Sequence, residues 1–106
     1  MATFRKGNTK MKNTNDDQPR FLLGQLLATP GAIALLDDAK VDALTLIRRH
    51  VVGDWGEVAS DDAMANDEAL LTGARVLSSY VVGGEKIWII TEADRRVTTL
   101  LLPSEY

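Results

Sequence analysis

Cysteine is absent from this chain. Disulfide staples, thiolate nucleophiles and cysteine-ligated metals are thereby excluded, and the composition suits a reducing cytoplasm. Histidine occurs once, at position 50. A lone imidazole cannot supply a two-histidine metal site within one chain. Asp54, four residues on, is placed to orient His50 as a general base, but no nucleophile is visible beside the pair. A histidine in the last turn of a helix explains the position as well. No apolar run approaches the roughly 18 residues of a membrane helix, and no hydrophobic h-region follows the basic N-terminus before Pro19. Neither a membrane span nor a secretory signal is expected. Nothing in these residues calls for a cofactor or a metal, and no residue stands out as catalytic.

What is present is a globular composition, 45% hydrophobic and 25% charged over 106 residues. A chain of this length forms one domain and buries about 65% of its extended surface. The clearest pattern lies in its last third. Arg75 to Val82 and Glu85 to Thr91 are β-branched and aromatic runs separated by Gly83-Gly84, which supplies the positive φ of a tight hairpin. After Glu92 to Arg95 a third run reaches Leu102. The pattern predicts a three-stranded antiparallel meander over about 75–102. In its middle strand Ile87, Ile89 and Thr91 share one face while Trp88 and Ile90 share the other. Both faces are apolar, so the sheet is covered on both sides or keeps a mixed second face for solvent or a partner.

Residues 1–20 read as a disordered basic tail. Arg5, Lys6, Lys10, Lys12 and Arg20 stand against Asp16 and Asp17, and Phe4 is the one large aromatic side chain; such a stretch buries too little to offset its ordering entropy. Met11 offers an alternative start. Residues 21–106 read as a single α+β domain whose three to four short helices cover the sheet. Phe21, Leu22, Leu23, Leu26 and Leu27 recur at helical spacing, weakened by Gly24. Thr29-Pro30 is an N-cap followed by proline at the first helical position. A helix from Val41 ends on Arg48-Arg49-His50, cations favoured at the negative end of the helix dipole. Another runs from about Asp61 to Thr72, capped by Ser60 and closed by Gly73, with Met64, Leu70 and Leu71 expected to face inward.

Charge is distributed unevenly. From His50 to Ala74 the sequence has six acids, Asp54, Glu57, Asp61, Asp62, Asp67 and Glu68, and no Lys or Arg. The run reads either as a surface attracting a basic partner protein or as a solvated helix with acids at its positive end. Trp55, between Asp54 and Gly56, reads as a loop anchor whose indole N–H finds a carbonyl, with an aromatic ligand platform as the other reading. Glu92, Asp94 and Arg95 place both charge signs in a turn. There they would hold a phosphate, a metal ion or one another, and turn chemistry alone also accounts for Asp94.

Three stretches resemble a known family. They are His50-Val51-Val52-Gly53-Asp54-Trp55-Gly56; Asn66-Asp67-Glu68-Ala69-Leu70 with Gly73 to Tyr80; and Lys86 to Arg95 with Thr98-Thr99 and Leu102 to Tyr106. Together they resemble small bacterial proteins carried on plasmids and integrative elements, generally labelled plasmid-related and in places type I restriction subunit M. The resemblance covers residues 21–106. A methyltransferase activity does not carry over, because the chain lacks the Asn-Pro-Pro-aromatic motif for flipping and methylating a base. What the resemblance implies is a setting, mobile DNA in a bacterial cytoplasm.

Three functions fit that setting. The first is a non-catalytic accessory protein that contacts another protein, in counter-defence or in regulation of transfer. The second is a nucleic-acid-binding accessory using Arg95, Arg96 and the tail. The third is a small nuclease or toxin-like enzyme using Glu92, Asp94 and Arg95. Residues 21–106 hold seven Lys or Arg against 13 Asp or Glu, a net charge of −6, which opposes phosphate binding and favours the first. A homodimer through the mixed sheet face is a further expectation.

Overall fold

A computed structural model describes residues 18–106. The elements run β1 (Gln25–Ala28), α1 (Pro30–Ala39), α2 (Ala43–Val51), α3 (Ser60–Thr72), β2 (Val76–Val82), β3 (Glu85–Thr91) and β4 (Val97–Leu101), followed by a 3-10 turn at Pro103–Glu105. Gly83 and Gly84 adopt φ of 57° and 83°, the consecutive left-handed positions a two-residue hairpin turn requires. β2 pairs antiparallel with β3, and β3 with β4.

The protein is α+β, but the expected three-stranded antiparallel sheet is corrected. The sheet has four strands in the order β1-β4-β3-β2 and is mixed, because β1 joins β4 in parallel. Three helices, within the three to four expected, accompany it among the described residues. The segment read as a first helix from Phe21 to Leu27 is irregular up to Gly24 and then extends into β1. The reason lies at Gly24. Its φ is 66°, and a Cβ built there would stand 2.2 Å from the carbonyl carbon and oxygen of Arg96. The chain is pressed backbone to backbone against the entry to β4, where Gln25 N–H donates to Arg96 O at 2.8 Å. Leucines at helical spacing serve this strand equally well. The tail up to Asp17, with Met11 inside it, lies outside the described residues. Arg20 is tied down, its backbone N–H donating to Val51 O at 2.8 Å and its Nε to Val52 O at 3.0 Å.

One face of the sheet carries the core. Val76, Ser78, Tyr80, Val82, Ile87, Ile89, Thr91, Thr98 and Leu100 are all buried there; Tyr80, Val82, Ile87, Ile89 and Leu100 pack with Ala32 and Leu36 of α1 and Leu46 and Ile47 of α2, and Val76 with Trp55 and Ala69. Thr29 caps α1 by accepting from Ala32 N–H at 3.2 Å, and Asp42 caps α2 by accepting from Leu44 N–H at 2.9 Å. The opposite face is mixed. Ser79, Ile90 and Leu101 are buried there, Leu77, Trp88 and Thr99 are half-buried and Val81 is exposed, while Tyr106 packs edge-on against Trp88 with ring centroids 5.7 Å apart.

The outer edge of β2 is covered at its middle. The loop from Trp55 to Glu57 runs along it, with Ser79 N–H donating to Trp55 O at 3.0 Å and Glu57 N–H to Ser79 O at 2.6 Å. Gly56 makes this approach possible. Its φ is 74°, and an added Cβ would lie 2.1 Å from Ser79 O and 2.6 Å from the Tyr80 ring. Gly56→Ala is therefore expected to destabilise the fold by about 2 kcal/mol, the order of cost of a strained left-handed residue. A shift in the urea midpoint would measure it, and a midpoint equal to wild type would refute the close approach.

Candidate functional site

Imidazole chemistry would be the first place to look for catalysis, yet His50 and all its partners are sealed inside. His50, Ser78, Thr91 and Thr98 are each 0% exposed. Thr98 Oγ1 donates to Leu23 O at 2.7 Å. With that proton committed, Thr98 accepts from Thr91 Oγ1 at 2.7 Å. Thr91 in turn accepts from His50 Nε2–H at 2.9 Å, and the unprotonated Nδ1 accepts from Ser78 Oγ at 2.5 Å. Donor counting thus assigns one tautomer and one direction to the whole chain of bonds. Phe21 and Trp55 enclose the ring, their centroids 5.2 and 5.9 Å from it. Burial pushes the His50 pKa down to about 4, and the positive charge of Arg95 adds to the shift. The imidazole is neutral and ties α2 to β2 and β3, with the two threonines carrying the link on to β4 and to the segment before β1. Asp54 does not orient it.

Asp54 instead takes a bidentate bond from Arg49, Nε at 2.7 Å and a terminal guanidinium nitrogen at 3.3 Å. That hydrogen bond holds the Asp54 carboxyl below its ordinary range and raises Arg49. The same guanidinium lies 4.5 Å from the Tyr80 ring centroid. The Tyr80 hydroxyl donates to Asp54 O at 2.6 Å, and burial pushes its pKa up to about 12. Trp55 is buried, and its indole N–H donates to the Asp67 carboxylate at 2.9 Å; the anchor is a carboxylate where a carbonyl was expected.

The mixed-charge turn is likewise engaged in structure. Arg95 sits at φ 59° and donates to the carbonyls of Ala74 (2.7 Å), Glu92 (3.1 Å) and Ala69 (3.2 Å), the last of these in α3. Its guanidinium carbon is 5.5 Å from the Phe21 ring centroid. Asp94 accepts from Arg96 N–H at 3.0 Å, closing its own turn. Among the described residues no three His, Asp or Glu side chains stand close enough to share a metal ion, and no helix is long and apolar enough to cross a membrane.

A different surface emerges on α3. The helix begins at Ser60, with Ala59 at the N-cap and no side-chain cap, and ends on Gly73 at φ 83°. Its inner side is made of small or bonded residues. Asn66 donates to Leu77 O at 2.8 Å and accepts from Leu77 N–H at 3.1 Å, and Ala69 is buried beside Ala63 and Leu70. With that side turned to the sheet, helical geometry sends Asp61, Met64, Glu68 and Leu71 outward at steps of three, four and three, a single stripe. Met64 is 69% exposed and Leu71 89%, against the expectation that both face inward; Leu70 alone of the three packs in. Asp61, Met64 and Glu68 line one shallow hollow with Ala65.

The structure therefore divides the residues singled out in the sequence. Asp61 and Glu68 share a face with two large apolar side chains, and Asp62 is exposed in the same first turn. Glu57 is exposed beside the edge of β2, whereas Asp54 and Asp67 are bonded to Arg49 and Trp55. Glu92 is half-buried, with Asp94 and Arg95 forming the turn beyond it. Met64 and Leu71 are the residues that sequence reasoning missed. The usable signal was the pair Asn66 and Ala69, a poor match for a core stripe unless α3 docks by hydrogen bonds and small side chains. No protein-family model, no curated protein and no solved structure matches this chain.

Proposed function

We propose that the protein is a non-catalytic accessory factor that works by protein–protein contact, presenting the outward face of α3 to a basic partner surface. The sequence resemblance over residues 21–106 supplies its setting, a mobile genetic element in a bacterial cytoplasm. There such a contact would block a host defence or regulate transfer. The observation that carries the reading is the exposed stripe Asp61, Met64, Glu68 and Leu71 on a helix without Lys or Arg. A helix presenting apolar anchors at such steps suits a groove. Methionine adapts to irregular pockets, and the two acids favour a groove rimmed by Lys or Arg through complementary charge. Nucleic-acid binding and nuclease chemistry draw less support. Both draw on Arg95, whose guanidinium is turned onto three backbone carbonyls, which leaves the nucleic-acid reading Arg96 and the tail against a net charge of −6 over residues 21–106.

A photo-crosslinking residue in place of Met64 tests the reading in a bacterial host. A discrete adduct is expected there and none from the same residue placed at Ser104. For the partner so identified, the double reversal Asp61→Lys with Glu68→Lys is expected to weaken binding about tenfold at low salt, with the difference shrinking as salt rises. Affinity unchanged by the reversal would refute the surface, and tight DNA binding in a gel shift would move the second reading ahead of it.

A further inference from the structure

We propose that β1 is a dimerisation edge, pairing antiparallel with β1 of a second copy of this chain to make one continuous eight-stranded sheet. On β2's outer edge the outward groups of Ser79 are taken by the Trp55–Glu57 loop and those of Leu77 by the Asn66 side chain, so among the described residues β1 is the less protected edge. Gln25 N–H donates to Arg96 O and Thr29 N–H to Leu100 O. The alternation of a parallel ladder therefore turns the backbone N–H and C=O groups of Leu26 and Ala28 outward, away from β4. Edges are normally blunted by shortness, charge, proline or a bulge, and at four residues β1 is short. It carries no charge, proline or bulge within those residues, and Leu26 and Leu27 are 44% and 45% exposed.

Charge and shape both favour a second copy as the occupant. The body carries a net charge of −6 over residues 21–106, but no residue from Phe21 to Leu36 is charged. Two copies can approach through this segment without opposing like charges across the contact. Centring a two-fold axis on Leu27 is the register that satisfies all four outward groups. It places Leu26 opposite Ala28 of the other copy, and Leu27 opposite its own equivalent as a non-hydrogen-bonded pair. Paired residues share a face of the sheet, so each Leu26 projects beside the other copy's Ala28. An open hollow lies there, lined by Ala28, Ile33, Leu36 and Val41, with Asp37 and Asp42 also on its wall. A large side chain opposite a small one, next to a hollow with apolar residues on its wall, suits a self-complementary edge. This surface is separate from the α3 stripe, and the proposal stands independently of it.

Sedimentation equilibrium of the full chain is expected to show a concentration-dependent dimer in the micromolar range, approaching twice the 11.6 kDa monomer mass. Leu27→Lys and Leu27→Glu, each confirmed folded by circular dichroism, are each expected to be monomeric because like charges meet at the axis. An equimolar mixture of the two is expected to restore the dimer. Hydrogen exchange supplies a second readout, in which the amides of Leu26 and Ala28 gain protection as concentration rises while those of Gln25 and Leu27 are protected throughout. A wild-type chain that stays monomeric, a dimer that survives Leu27→Lys, or a mixture that fails to pair would each overturn the proposal.

Discussion

Replacing His50 with alanine is expected to destabilise the fold by about 3–5 kcal/mol, the range for removing a large buried side chain that is also bonded. Two losses combine. The cavity left by the ring would stand between Phe21 and Trp55, whose aromatic contacts with it disappear. Ser78 and Thr91 would keep hydroxyls at 0% exposure with one partner removed from each, and an unpaired buried hydroxyl costs about 1–3 kcal/mol. Urea denaturation at neutral pH measures the sum. A companion variant separates the terms: His50→Ala combined with Ser78→Ala and Thr91→Val deletes the orphaned hydroxyls and should recover part of the loss. If the triple variant is less stable than the single by the full sum of its parts, the three groups do not act as one network.

Acidification is expected to produce a loss of similar size without any mutation. The His50 imidazole has a pKa of about 4 in the fold against 6.5 when unfolded. Between those values the unfolded chain binds a proton that the folded chain refuses, so stability rises with pH across the window. It is complete above about 6.5 and declines as pH falls toward 4, by about 3 kcal/mol at 1.36 kcal/mol per pKa unit. The Asp54 carboxylate, held low by Arg49, works in the same direction at more acid pH. Urea midpoints taken across this range check the claim, and His50→Gln, which cannot titrate, should flatten the slope. A wild-type slope that the glutamine variant leaves unchanged would assign the effect to other groups.

Both results concern a histidine whose place in the chain was readable and whose surroundings were not. Its position in the last turn of α2 follows from spacing and from the neighbouring arginines. Its burial depends on Ser78, Thr91 and Thr98, each at least 28 residues away in sequence, and a hydroxyl in a strand gives no local sign of facing a ring. The hairpin at Gly83-Gly84, the Thr29-Pro30 cap and the Gly73 stop were legible because each is a local backbone demand met by a particular residue type. Residues 21–27 were not, since a few leucines around a glycine fit a helix and a strand alike until the partner strand is known. The α3 stripe was half legible. The acids announced themselves by the absence of Lys and Arg, but Met64 and Leu71 pass for core by composition, and only the docking of Asn66 onto Leu77 decides which way they point.

The parallel pairing of β1 with β4 has a consequence for the order of events during synthesis. Its register joins Gln25 to Val97 and Ala28 to Leu100, and Thr98 reaches back to Leu23 O. The Glu105 carboxylate accepts from Thr29 Oγ1 and Gly31 N–H at the start of α1. β1 therefore leaves the ribosome well before its partner β4, and the closure entropy of so long a loop must be met before that contact forms. Until Leu101 has cleared the exit tunnel, the nascent chain displays the uncharged leucine-rich stretch from Phe21 to Leu36 with its eventual neighbour still unmade.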